Sequence, residues 1–286
     1  MALNDYETSR DRGQPVELYQ FTYGPGANDY HAYTDGSAQV LHNGITYDPL
    51  PISRTNIRTR GKLEANEIRV TVPATSQIAN LFRIYPPGQI VTLRVRQGHV
   101  PNPDDPSSWA LGENFPVAWM GRVLEAQRDE NKAVLTCEAV SASMKRPGLR
   151  RHYQWPCPLV LYGTRCRADK AAASATATVS GATGNRITLV EPWGLSGIAP
   201  EKYIGGLAEW SGAAGTERRT ILRVEGTATL VLSGPVLTLA ANDPVTVILG
   251  CNHALDDCEN LHNNVVNYGG QPFIPTVNPV GKNNHT

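Results

Sequence analysis

Four of the chain's cysteines fall in two pairs. Cys157 and Cys166 stand in W-P-C-P-L-V-L-Y-G-T-R-C, and Cys251 and Cys258 in G-C-N-H-A-L-D-D-C. Residues 167–250, between the pairs, hold no cysteine. A thiolate is a soft, charged ligand and selects zinc, copper(I) or the iron of iron–sulfur clusters. Four thiolates satisfy either a tetrahedral zinc or an iron–sulfur cubane, provided that the two pairs meet in space. Zinc knuckles keep about two to four residues between paired cysteines, because a tight turn aims both sulfurs at one ion. Here the gaps are eight and six residues. Loops of that length wrap a wider object, which favours a cluster over a single ion, although spacing alone does not name the metal. Two rival readings stay open: local disulfides Cys157–Cys166 and Cys251–Cys258, and free thiols. Cys157 is flanked by prolines and Cys166 by arginines, which are loop contexts and not those of core strands. The fifth cysteine, Cys137, lies in a strand pattern without a partner nearby and reads as a small buried hydrophobe.

Other chemistry is sparse. His253 lies between Cys251 and Cys258 and is either a further ligand or a loop hydrogen-bond donor, the commoner use. His262, Asn263 and Asn264 read as turn and backbone-bonding residues. Gly269-Gly270, followed by Pro272 and Pro275, reads as an extended closure; no helix start follows to make it a phosphate loop. Neither G-x-S-x-G nor H-E-x-x-H occurs. Cys157 and His152 are close in sequence, but Pro156 beside the cysteine offers no helix N-terminus to depress a thiol pKa. The chain is therefore not expected to be an enzyme. Trp193, Trp210 and Tyr203 are the residues that would stack on sugars if the chain were a carbohydrate-binding or host-surface attachment module; core packing is their ordinary use.

The elements that must position the cysteines read as mainly β. The 286 residues carry 26 Gly and 21 Pro, with 18% charged and 41% hydrophobic residues. That is turn-rich, with enough apolar material for a packed core. Lys+Arg 26 balances Asp+Glu 26, against a general nucleic-acid binder. A local basic stretch (Lys145, Arg146, Arg150, Arg151, His152) reads as a solvated linker around Pro147-Gly148. The polar first residues lack the apolar core of a secretory signal. No run approaches the ~18 apolar residues of a membrane helix, so stable membrane binding is not expected. Such a cytoplasmic chain favours thiols or metal over disulfides.

Strands are predicted around Val16–Tyr23, as a hairpin over Ala38–Tyr47 about Asn43-Gly44, over Ile68–Val72 with period-two alternation, over 89–96, and as a pair at 117–126 and 132–140. Ser76 is set to cap a short helix running to Phe82. Residues 99–116 form a long Pro/Asp/Ser-rich loop that includes Trp109. From residue 171 the composition turns to Ala, Thr and Gly. Short strands then fall at about 175–180, 186–190, 204–211, 217–224, 228–232 and 244–249, as in a small barrel or sandwich. The tail from Lys282 reads as disordered. Three regions result: 1–145, a cysteine region made of 146–170 and 250–286, and a β-insert over 171–249.

The two cysteine segments, together with the ending N-Y-G-G-Q-P-F-I-P (267–275), resemble the tail-tip (baseplate) hub proteins of long-tailed phages and gene transfer agents. There a C-P-x-x-x-Y-G-x-x-C motif precedes a β-insert, and a G-C-x-x-x-x-x-x-C-x-x-x-F-x-N-x-x-N-F-G-G-x-P-x-I-P motif follows it. This chain departs from that pattern at Leu261-His262-Asn263-Asn264, in the F-x-N region, and at Tyr268, where Phe is usual. The resemblance implies an N-terminal β-rich hub domain over 1–145 and a role in the virion tail tip, after assembly in the bacterial host cytoplasm. It implies a homo-oligomeric ring, a trimer. The ring would join the tail tube to the distal tip or fibre complex, with the distal tail protein and the central fibre or tip protein as neighbours. DNA would be passing cargo, which near-zero net charge suits. It also implies a structural 4Fe–4S cluster on Cys157, Cys166, Cys251 and Cys258, with zinc as the alternative.

Overall fold

The computed structural model describes residues 8, 14–24, 26–57, 67–83, 86–100, 115–145, 148, 153–212 and 215–275. The basic stretch beyond Lys145, residues 101–114 of the long loop with Trp109, and the tail from Lys282 lie outside them. Two compact units divide the chain at Arg146/Pro147, the short segment Gly212–Glu217 being grouped with the first.

The first unit is one nine-stranded sheet in the order β3-β4-β2-β1-β7-β8-β9-β6-β5. Its strands are β1 (Gln14–Thr22), β2 (Tyr30–Thr34), β3 (Val40–His42), β4 (Ile45–Pro49), β5 (Ser53–Arg54), β6 (Ile68–Pro73), β7 (Thr92–Val100), β8 (Val117–Asp129) and β9 (Lys132–Ala139). β1 explains why its own stretch alternates so weakly in sequence. Val16 and Leu18 enter one core cluster and Tyr19 and Phe21 another, so both faces are apolar and the period-two signal fades. The pairing is antiparallel except between β2 and β4, which run parallel with Tyr33 opposite Asp48. Asn43 and Gly44 both take positive φ, 51° and 76°, the backbone that their turn requires. Ser76 accepts the Ala79 N–H at 3.4 Å and opens helix α1 (Gln77–Leu81), which buries Ile78 and Ala79. Strands β2 and β5 have no clear sequence signal, being short; β5, of two residues, is one edge of the sheet.

Cys137 is fully buried in β9, as its pattern indicates. Burial, then the Glu67 carboxylate, push its thiol up to about 12. The thiolate is the reactive form, so native protein at pH 8 should leave Cys137 unalkylated while denatured protein labels fully. Mass spectrometry that finds Cys137 modified in the native state would contradict this burial.

In the second unit six strands close into a barrel, β10-β11-β14-β13-β12-β15. They are β10 (Ser174–Thr183), β11 (Arg186–Leu189), β12 (Leu207–Gly212), β13 (Gly215–Glu225), β14 (Thr229–Leu232) and β15 (Pro244–Ile248). The barrel, not the sandwich, is thus the form of the insert. Closure comes from β15 pairing with both β10 and β12, which removes free edges. The strand predicted at 204–211 begins later: after a 3₁₀ turn over Pro200–Tyr203, Ile204 and Gly205 continue the turn, and the strand starts at Leu207. Trp210 and Tyr203 are 3% and 1% exposed and sit in the barrel core. Trp193 packs on Tyr203 with ring centroids 5.0 Å apart and donates Nε1–H to the Thr227 carbonyl. Trp210 and Tyr203 therefore fill the barrel core, and Trp193 packs half-buried against it. Among the described residues no helix is long and apolar enough to cross a membrane.

Candidate metal centre

All four paired cysteines line one pocket in the second unit. Leu159, Leu161, Ala168 and Tyr268 share its walls. None of the five cysteines is in a disulfide, so neither local pairing is present.

Cys251 lies just past the last barrel strand, after Leu249 and Gly250. Gly250 precedes it for a steric reason: a Cβ there would fall 1.9 Å from the Ile204 carbonyl oxygen. The tight crossing lets the Gly250 N–H reach the Lys202 carbonyl at 2.9 Å. Cys258 lies on helix α2 (Leu255–Asn260), with Asp256 and Asp257 in its first turn. Acidic residues there favour a helix start. The segment reads as a loop in sequence because six residues give no periodicity. Asp257 is buried and holds two chain segments together: its Oδ1 takes the Lys202 ammonium at 2.8 Å and its Oδ2 the Asn252 N–H at 3.0 Å. That partner raises the Lys202 pKa.

The first loop is clasped to the second through the backbone. Cys157 donates its N–H to the His253 carbonyl at 2.8 Å, and Gln271 donates to the Gln154 carbonyl at 2.9 Å. Trp155 Nε1–H reaches the Pro272 carbonyl at 2.9 Å. The Gly269–Pro275 segment is not the extended closure expected from sequence: it turns at Pro272 and Phe273, the Ile274 N–H donating to the Gln271 carbonyl at 3.2 Å. Tyr162, at φ 58°, sends its hydroxyl to the Leu249 carbonyl at 2.7 Å and stands edge-on to His262. His262 in turn donates Nε2–H to the Gly250 carbonyl at 2.8 Å; a carbonyl only accepts, which sets the tautomer. His262 thus braces the neighbour of Cys251.

The sulfurs face donors. The His253 N–H points at Cys251 Sγ (3.3 Å), the Gly269 N–H at Cys157 Sγ (3.4 Å) and the Asn264 amide at Cys166 Sγ (3.7 Å). Cys258 instead donates its thiol to the Asn264 carbonyl at 3.3 Å. His253 therefore serves Cys251 through its backbone, and the residue is part of the pocket lining. No three His, Cys, Asp or Glu side chains among the described residues gather closely enough to hold a single metal ion. Asn264, His262 and Asp257 are the contributors that the sequence hid; Asn264 and His262 read there as turn residues.

Burial, then the neighbouring Cys251, Cys157 and Cys166 sulfurs, push the Cys258 thiol from 9.0 up to about 11. Burial also raises Cys251, partly offset by the His253 N–H. A raised thiol pKa means that the fold prefers the neutral group. The contribution is complete below pH 9 and is lost as pH climbs towards 11. The metal-free protein should therefore lose urea resistance over that window, and Cys258→Ala should flatten the loss. Equal slopes in the two proteins would remove Cys258 as its source.

A family described as "Phage conserved hypothetical protein BR0599" matches residues 201–278, which takes in Cys251 and Cys258 but not the first pair. An uncharacterized protein of Xylella fastidiosa (strain 9a5c) is 24% identical over 178 residues, 58% of this chain and 35% of its own length. The chain thus spans about a third of that relative. A solved chain from "Virion of native gene transfer agent (GTA) particle" superposes with a TM-score of 0.73 at 18% identity, covering 96% of this chain and 92% of that one. At that identity the likeness establishes a shared fold, so the mainly β architecture of sheet and closed barrel is one that a virion protein also uses.

Proposed function

We propose that this chain is a non-enzymatic structural component of a phage-type virion, a tail-tip hub subunit whose cysteines hold one iron–sulfur cluster. One observation carries the reading: two loops far apart in sequence bring Cys157, Cys166, Cys251 and Cys258 to a single pocket. The donor set fits the group. Thiolates suit iron, and N–H groups aimed at the sulfurs disperse the charge of a bound cluster. A single zinc fits less well. With Zn–S near about 2.3 Å, tetrahedral ligands stand about 3.8 Å apart, and no such close group is present among the described residues. A cubane interposes its own iron and sulfide between the thiolates, so it accepts wider spacing.

The chemistry the cluster supplies is a cross-link. Cys157 and Cys166 hold the chain entering the barrel, Cys251 and Cys258 the chain leaving it. Binding free energy then becomes folding free energy. The resemblance to phage proteins and the gene transfer agent fold support the virion setting. A ring of copies between tail tube and tip, beside distal tail and fibre proteins, is the assembly in which such stiffness serves.

Anaerobic purification followed by iron and acid-labile sulfide analysis tests the cluster. The expected protein is brown, with iron and sulfide in equal amounts. A colourless protein with five titratable thiols would sink it. Immunogold labelling of intact particles tests the location: gold at the tail tip is expected, and gold confined to heads or to free host protein would contradict it.

A further inference from the structure

We infer that Asn264 is a positioning residue for the cluster, a role that rests on the iron–sulfur reading above. Asn264 is 8% exposed and touches one cysteine from each pair, Cys166 through its side chain and Cys258 through its main chain. Its Nδ2 donates to the Cys166 carbonyl at 2.6 Å and faces Cys166 Sγ at 3.7 Å. Its backbone N–H donates to the Cys258 carbonyl at 2.9 Å, and its own carbonyl accepts the Cys258 thiol at 3.3 Å.

The amide orientation is fixed by its partners. A carbonyl accepts only, so the NH₂ must face Cys166; the oxygen is then left to accept Asn267 Nδ2–H at 2.7 Å. Asn267 thus locks the rotamer. Cys157 and Cys251 receive their N–H donors from the main chain, which substitution cannot remove. Cys166 receives its donor from a side chain, which substitution can remove. Ligation takes the proton from Cys258 and ends its bond to the Asn264 backbone carbonyl, so in the loaded protein the sulfur contact left to Asn264 is that of its side-chain amide with Cys166. N–H donors to cluster sulfurs favour the reduced, more negative state and raise the reduction potential.

Asn264→Asp keeps the shape and the oxygen for Asn267, removes the donor and adds negative charge. Asn264→Ser removes the donor without adding charge. In the full chain, titrated with dithionite and followed by the visible spectrum, Asn264→Asp should weaken the hold on the added electron about tenfold, which is about 59 mV for a one-electron couple. Asn264→Ser should move it the same way by less. Folding is checked by far-UV circular dichroism. Two folded, iron-loaded variants with the wild-type midpoint would overturn the role. So would loss of fold in both, because Asn264 would then hold the chain and not tune the centre. An iron-free wild-type protein is a separate result: it removes the cluster reading and this role with it.

Discussion

Cys251→Ser protein comes off the column without iron, and adding Cys157→Ser to it changes nothing further. That is the expected result if one centre spans both loops. A serine hydroxyl stays protonated at neutral pH and is a hard ligand, so it is a poor substitute for thiolate on iron. Losing one ligand should release the centre, and with it all that the centre contributes. A group bound about a thousandfold above its dissociation constant adds about 4 kcal/mol to the folded state, which for a unit of this size is on the order of 10 °C in melting temperature. The loss should be strongly non-additive, the double variant melting where each single variant melts. Cys137→Ala is the control: that cysteine sits in the sheet of the first unit and should keep full iron. Independent, summing losses from Cys157 and Cys251 would mean two local roles and no shared centre. Thermal melts of the wild type and the four variants, with iron assayed on each, decide the matter.

The cysteine pairs were legible because they are few, paired and set in loop contexts, and nothing else in a β-rich chain puts thiols there. The short strands of the insert were legible from turn residues; Gly184-Asn185 and Asn242-Asp243-Pro244 bracket real strand ends. What stayed hidden depends on contacts between distant segments. β1 buries both faces, which no local pattern reveals. The parallel β2–β4 pair is a matter of register. Asn264 looks like any turn asparagine until Cys166, 98 residues earlier, is placed against its amide. Trp210 and Tyr203 carry the same letters whether they stack on a sugar or fill a barrel; only closure of the six strands puts them inside.

The glycine before Cys251 gives a result that does not depend on any metal. Gly250 and Gly206 sit where the chain leaving β15 crosses the chain entering β12. A Cβ on Gly250 would lie 1.9 Å from the Ile204 oxygen, and one on Gly206 would lie 2.0 Å from the Ile248 oxygen. Both obstacles are main chain. They cannot swing aside as a side chain would, and bonds on either side pin them: Gly205 N–H to the Ile221 carbonyl at 2.8 Å, Ile221 N–H to the Gly206 carbonyl at 2.9 Å. Gly250→Ala must therefore part the crossing or break these bonds, and overpacking against an unyielding backbone costs about 3 kcal/mol or more. Gly181→Ala, in β10 of the same barrel, meets nothing within 4 Å and should stay within about 0.5 kcal/mol of wild type. Hydrogen exchange read on barrel peptides separates this unit from the sheet: Gly250→Ala should speed exchange across β12 and β15, and Gly181→Ala should not. The displaced crossing also carries Cys251 away from its partners, so iron loading should fall in Gly250→Ala although every thiol is intact. Wild-type exchange with wild-type iron in that variant would mean that the crossing is looser than the distances require, and that the position of Cys251 is set elsewhere.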